Sequence, residues 1–278
     1  MAQNYASEDL AVIDERFYTE SKTSMIINNG LTMTFEGVNT VTIYNVDVVA
    51  EVDYVRDGEN RFGPLVELGT GVQSFVLSQD KAFTFTVDRG NLEDSKMVQE
   101  ADKAVKRQVR EVSIPTTDIY RLSVLASYAV ANTQGTLASA LSASNVFQGI
   151  LTERAALIDA EVPVENLAVY ITATTETYLW RDPEFKYACD KSYADNKTGV
   201  IGRVLGMDIV VCPSSYYIAN FGFMIVAKNV LVAPTKFNMV RILDGVQGID
   251  GKVAEGRRYY DAFIPTNKGV AIRIRTIA

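Results

Sequence analysis

Histidine does not occur anywhere in the chain. Its absence removes the Ser-His and Cys-His nucleophile pairs, the commonest general base and the commonest metal ligand. Cysteine is nearly absent. Cys189 and Cys212 are too few for a disulfide scaffold, and in mixed apolar surroundings they read as packing thiols. No apolar run reaches the roughly 18 residues of a membrane-spanning helix. Basic charge is in deficit, with 27 Lys and Arg against 34 Asp and Glu, a net charge of −7. That balance opposes a tight grip on nucleic acid, which needs a basic footprint. The opening stretch, MAQNYASEDLAVIDERF, lacks the basic start and apolar run of a signal peptide, so the expected folding compartment is a cytoplasm.

Motifs of chemistry are also missing. SQDK (Ser78 to Lys81), ADN (Ala194 to Asn196) and KTG (Lys197 to Gly199) echo the elements of penicillin-recognising serine enzymes. In those enzymes the serine opens a helix, whereas Ser78 lies in a strand pattern. ADN lacks its serine and abuts KTG. GVIGRVLG (Gly199 to Gly206) matches neither phosphate-binding glycine pattern. DGVQGIDG (Asp244 to Gly251) lacks calcium-loop spacing and reads as turns between strands. NKT (Asn196 to Thr198) would not be glycosylated in a cytoplasm. Trp180, Tyr178 and Phe185 read as a local packing cluster. No catalytic, cofactor-binding or metal site is expected, and the chain is not read as an enzyme.

What is present is architecture. At 278 residues the chain suffices for one large domain or two small ones. Residues 1–36 are polar, with a possible short helix over Ser7 to Arg16 and an extended remainder. From Val38 to Tyr54 the pattern has period two, with Tyr44, Val46, Val48, Val52 and Tyr54 on the apolar face. A loop follows from Arg56 to Gly71. A second alternating segment then runs from Val72 to Asp88, with Phe75, Leu77, Phe83, Phe85 and Val87 on one face. Unbroken, the first arm would span about 56 Å, against a radius of gyration of about 19 Å for a chain of this length. Such a hairpin projects beyond its own globule, and its apolar face is expected to cover a neighbouring molecule. In the other reading the arms bend and fold into the core.

Asn91 and Asp94 offer N-caps for a helix with Met97, Ala101, Ala104, Val105 and Val112 on one face. Lys103, Lys106, Arg107 and Arg110 form a basic stripe, either solvated or facing an acidic neighbour. Ile114-Pro115 is expected to end that helix and begin another. Ala131 to Asn145 reads as a flexible connector, Val146 to Ala160 as an amphipathic helix and Asn166 to Ala173 as a buried strand. A short helix near Glu176 to Trp180 and a surface loop through Asn196 follow. Strands are expected within Thr198–Pro213 and the FGFMIVAKNVLVAP stretch. Two more are expected at the end, joined around Asn267–Gly269. The mixed order indicates α+β.

This order of elements resembles the major capsid proteins of tailed bacteriophages, with their Hong Kong 97-like fold. The stretches VNTVTIYNV, ELGTGVQSFVLSQDKAFTFTVDRGN, TGVIGRVLGMDIVVCP and GRRYYDAF resemble siphophage coat proteins in particular. The resemblance implies an N-terminal arm (1–36) and an extended loop formed by a long β-hairpin (37–90). It implies a peripheral domain with a spine helix (91–130 and 235–278, the helix at about 93–112) and an axial domain (131–234). It implies an icosahedral head shell built from pentamers and hexamers around double-stranded DNA. That DNA is contacted weakly and non-specifically, and no membrane is involved. The coat would be assembled in the host bacterial cytoplasm and located in the virion.

The same resemblance makes Arg56, Asp57, Glu59, Arg61 and Glu67 inter-subunit contact candidates at a neighbour's rim. Lys81, Lys103, Arg107 and Arg110 are further contact candidates. The chain carries no additional internal-scaffold domain, so a separate scaffolding protein is expected, with a portal. Lys81 lies along an arm rather than at the tip, so covalent crosslinking through it is not expected. An encapsulin-type compartment shell is the alternative within the same fold.

Overall fold

The computed structural model describes residues 21–31, 33–36, 39–46, 48–57, 59–90, 101–138, 140–190, 200–244 and 246–277. Its core is a mixed seven-stranded sheet. The strands are β5 (Gly135–Ala138), β6 (Leu167–Thr172), β7 (Cys189–Asp190), β8 (Val200–Val204), β9 (Met207–Cys212), β10 (Phe221–Ala227) and β13 (Ile272–Ile277). Across the sheet their order is β5-β13-β10-β6-β9-β8-β7. The centre is occupied by the most continuously apolar segments. LAVYIT of β6 is buried almost throughout and FGFMIVA of β10 completely, as strands covered on both faces must be. β6 pairs parallel with β9 and antiparallel with β10. β8 and β9 form a hairpin through Leu205 and Gly206, both at positive φ (50° and 82°). Two consecutive left-handed residues match the twist of the strands they join.

Two helices complete this core. α2 (Ile114–Ala131) contributes Leu122, Leu125, Ala126 and Ala129, and α3 (Val146–Asp159) contributes Val146, Phe147, Ile150 and Leu157. α4 (Ala173–Arg181) begins at Thr172, whose hydroxyl accepts the Thr175 N–H at 3.2 Å, an ordinary N-cap. The helix read near Glu176–Trp180 is thus longer than expected. Where a surface loop was expected, α5 (Pro183–Ala188) and β7 follow. ADN, KTG and NKT lie outside the described residues, as do Ser7 to Arg16 and the caps Asn91 and Asp94. The connector expected at 131–145 contains β5, a parallel partner of β13.

The expected hairpin is broken in a specific way. β1 (Met33–Glu36), β2 (Thr40–Val46) and β3 (Thr70–Val76) form one antiparallel sheet. β4 (Gln79–Asp88) leaves it and pairs instead with β12 (Gly251–Tyr260), which pairs with β11 (Thr235–Asp244). The arm expected to run to Tyr54 therefore stops as a strand at Val46. The arm expected from Val72 to Asp88 is two strands in different sheets. Two residues, Leu77 and Ser78, separate them, so the alternation keeps its parity through the bend. The two terminal strands expected to be joined around Asn267–Gly269 are β12 and β13, joined there as expected although they belong to different sheets. A 3₁₀ segment, Thr266–Ala271, carries the chain between them.

The helix does not stop before Pro115. α1 (Ala101–Gln108) passes through a π turn, Val109–Ser113, directly into α2. The wider turn leaves Pro115 at the start of the α2 hydrogen-bond ladder, where its missing N–H costs little. The Thr116 and Thr117 hydroxyls donate to the Val112 and Ser113 carbonyls at 2.7 and 2.8 Å. Arg258 Nη1 donates to the same Ser113 carbonyl at 3.1 Å. The carbonyls disturbed by the wide turn thus find partners.

Candidate functional site

The bend between β3 and β4 is fixed by one buried carboxylate. Asp261 is 3% exposed. It accepts the Ser78 N–H at 2.6 Å, the Tyr120 hydroxyl at 2.5 Å and the Ala262 N–H at 2.7 Å. Leu77 is buried beside it. Its N–H donates to the Asn39 carbonyl at 2.7 Å, and its carbonyl accepts from Tyr259 at 3.2 Å. Phe75 stacks on Phe263 with centroids 4.7 Å apart. The phenol of Tyr120 is held above its ordinary pKa by burial and by the charge of Asp261. The base of the projecting segment is therefore clamped to α2 and to the end of β12.

Beyond that clamp the packing ends. Leu65 is 99% exposed, Val48 94% and Phe62 85%. Tyr44, Val46, Val52, Tyr54, Val66 and Val72 are each more than half exposed. In β2 the buried side chains are Val41, Thr42 and Ile43, while Tyr44 and Val46, on the face expected to be apolar, are exposed. The loop is not shapeless. The Val55 N–H donates to the Arg61 carbonyl at 3.0 Å, and Tyr54 meets Phe62 edge-on at 5.0 Å. An ordered run of exposed aliphatic and aromatic residues on this scale marks a surface meant to be covered.

The candidate contact residues divide among three places. Arg56, Asp57, Glu59, Arg61 and Glu67 are all exposed on this one loop. Lys81 is exposed on β4, opposite Arg258 in register. Lys103 and Arg110 are exposed on the helix, while Arg107 is tied to Glu111 by an ion pair at 2.7 Å. The loop charges thus share one exposed loop, and Lys81 lies on a separate element.

Two features escaped the sequence. One is the outer face of the β11–β12–β4 sheet. Phe83 closes over Gly256, where a Cβ would stand 2.3 Å from the ring. Beside them lies a depression of about 410 Å³ bordered by Met239, Arg241 and Arg257. Arg257 binds Asp80 through two hydrogen bonds and holds that carboxyl below its usual range. Arg241 pairs with Glu255 at 2.7 Å. The other is Asp118, 2% exposed near the start of α2. It accepts from Ser21 Oγ and the Lys22 N–H at 2.8 Å each, and from Thr23 Oγ1 at 2.6 Å. A lone aspartate in an otherwise apolar helical stripe was the available signal.

Among the described residues no arrangement for bond-making chemistry emerges. Among the described residues no group of three potential metal ligands converges. Burial pushes the Cys212 thiol up to about 11, so it stays protonated and inert at neutral pH. Trp180 meets Phe185 edge-on at 5.5 Å, and Phe185 in turn meets Phe147, as a packing cluster does.

No family model and no curated protein matches the chain. Solved structures do match, over nearly its whole length. The capsid structure of the cyanophage P-SCSP1u aligns with a TM-score of 0.72 at 8% identity, covering 98% of this chain and 93% of that one. The mature capsid of bacteriophage PhiM1 aligns with a TM-score of 0.67 at 8% identity, covering 100% and 92%. The head structure of Helicobacter pylori bacteriophage KHP40 aligns with a TM-score of 0.63 at 10% identity, covering 96% and 93%. The α+β, Hong Kong 97-like architecture expected from the sequence is the fold this chain shares with phage capsid and head structures.

Proposed function

We propose that the chain is the major capsid protein of a tailed phage, and that its work is self-assembly rather than catalysis. The observation that carries this reading is the exposed apolar loop over 48–68, ordered in itself and clamped at its base by Asp261. A soluble monomer has no use for Leu65 and Phe62 in water. A subunit whose neighbour covers them does, and the shared fold with solved phage capsids supports the same conclusion. Each copy presents one patch to a different patch on the next, and rotation closes rings that become pentamers and hexamers.

In this reading residues 1–36 are the arm, 37–90 the extended loop, 91–130 and 235–278 the peripheral domain, and 131–234 the axial domain. β13 nevertheless reaches back into the seven-stranded sheet. Arg56, Asp57, Glu59, Arg61 and Glu67 set register against the neighbour, where rim charges fix orientation more than affinity. Lys81, Lys103, Arg107 and Arg110 are secondary contacts. A separate scaffolding protein and a portal complete the assembly, which takes place in the host cytoplasm. The packaged DNA is held loosely by a shell of net negative charge.

Removal of Asp57 to Gly69, with the loop closed by a short turn, tests this directly. Circular dichroism and the urea midpoint of the deleted chain should stay near wild type. Electron microscopy and sedimentation velocity, with scaffolding protein co-expressed, should find free subunits or small rings in place of closed shells. Normal particles from the deleted chain would refute the loop as a lattice element.

A further inference from the structure

A second polar site lies away from the loop. Segment 21–23, helix α2 and strands β11 and β12 converge around a cavity of about 220 Å³. Arg121 and Asp118 enter its wall from α2, Arg258 and Tyr260 from β12, and Thr235 and Asn238 from β11. We propose that this cavity binds a small tetrahedral oxyanion, of which inorganic phosphate is the type. The proposal uses neither the loop nor any neighbouring copy and stands independently of the coat-protein reading.

Charge is the first argument. Two guanidiniums share the wall with one carboxylate, and that carboxylate is already engaged with Ser21, the Lys22 N–H and Thr23. Among the described residues neither Arg121 nor Arg258 has a carboxylate at ion-pair distance. Burial holds both below the ordinary arginine pKa; at Arg121 the charge of Arg258 adds to that effect, against the opposing influence of Asp118 and Tyr260. An anion between them relieves both effects.

Unspent donors are the second argument. Tyr260 is 4% exposed, and its hydroxyl has no hydrogen-bond partner among the described residues; the same holds for Arg121 Nε. A buried donor left unmatched costs free energy, which a bound acceptor recovers. Arg258 spends Nη1 on the Ser113 carbonyl and Thr117 Oγ1, which fixes the position of its guanidinium.

Shape is the third. At about 220 Å³ the cavity has room for a phosphate with part of its hydration shell. Donors arrive from three elements rather than from one plane. That geometry suits an ion with acceptor oxygens on every side, and arginine is the usual phosphate-binding residue. An ion bound here would tie segment 21–23 to α2 and to two strands, stabilising the fold by linkage.

The full chain titrated with sodium phosphate at constant ionic strength, followed by thermal unfolding and calorimetry, tests the assignment. Tm should rise saturably with phosphate and not with chloride. Tyr260→Phe keeps the ring against Tyr120 and beneath Arg258 and removes only the hydroxyl. Without phosphate it should fold as wild type does, and its phosphate affinity should fall about tenfold. Asn238→Asp, at the exposed rim, should lower the affinity as well by adding a like charge. A wild type that shows no saturable phosphate effect would overturn the proposal, and so would undiminished affinity in both variants. Stabilisation by glutamate equal to that by phosphate would overturn the tetrahedral assignment.

Discussion

Asp208 in β9 is 5% exposed and sits between Lys228 Nζ at 2.5 Å and Arg203 Nε at 2.6 Å. Burial alone would raise its pKa, but the hydrogen bonds from Lys228 and Arg203 outweigh that and hold it below the ordinary value. A carboxyl depressed in the folded state contributes stability above its unfolded pKa of about 3.9 and loses it as pH falls through the folded value. Urea midpoints should therefore fall below about pH 4 in the wild type, and Asp208→Asn should flatten that segment of the curve. At neutral pH the substitution should cost about 1 kcal/mol, a modest figure because Arg203 is more than half exposed. Equal acid sensitivity in the variant would show that other carboxyls dominate. At this scale what was legible in the sequence was mostly negative. The missing histidine excluded whole classes of mechanism. The roles of Asp118, Asp208 and Asp261 depend on partners 96, 20 and 183 residues away, which no local pattern carries.

Between elements, the junction at Leu77–Ser78 decides whether the projecting loop is held at a defined angle. Asp261→Ala leaves the Ser78 N–H and the Tyr120 hydroxyl without their acceptor in a buried place. A loss of about 2–4 kcal/mol is expected, read from urea unfolding. Faster amide exchange at Ser78 should accompany it. A loss below about 0.5 kcal/mol would mean that Leu77 and the Phe75–Phe263 stack suffice. The central strands were legible because LAVYIT and FGFMIVA are continuous apolar runs at strand length. The bend was not, because two residues preserve the odd-even alternation while the partner strand changes. Pro115 misled because its usual effect presumes a regular α ladder, and here a π turn precedes it. β5 is four residues of GTLA in a small-residue stretch, and β11 intersperses Lys236, Asn238 and Arg241 among its apolar positions. Neither carries a strong period of its own.

For the molecule as a whole, the proposed function predicts that the exposed loop separates stability from assembly. Phe62 and Leu65 bury little in the free subunit, so Phe62→Ser with Leu65→Ser should shift unfolding by no more than about 0.5 kcal/mol. The same pair should sharply reduce the yield of closed particles in sedimentation. If particle yield is unchanged, those side chains face solvent in the shell too, and the contact lies elsewhere on the loop.

The position of β13 has a further consequence. Ile272–Ile277 lies inside the seven-stranded sheet, between β5 and β10, rather than at its rim. Any polypeptide cut short before Ile272 lacks an interior stave and presents two raw edges in place of a finished core. Truncated products would be steered toward proteolysis, and under the proposed function would not slot into a growing lattice as defective bricks. In the coat-protein reading proposed above, a shell of many identical copies would thereby be guarded against poisoning by incomplete ones, through nothing more than the order in which its sheet is laced.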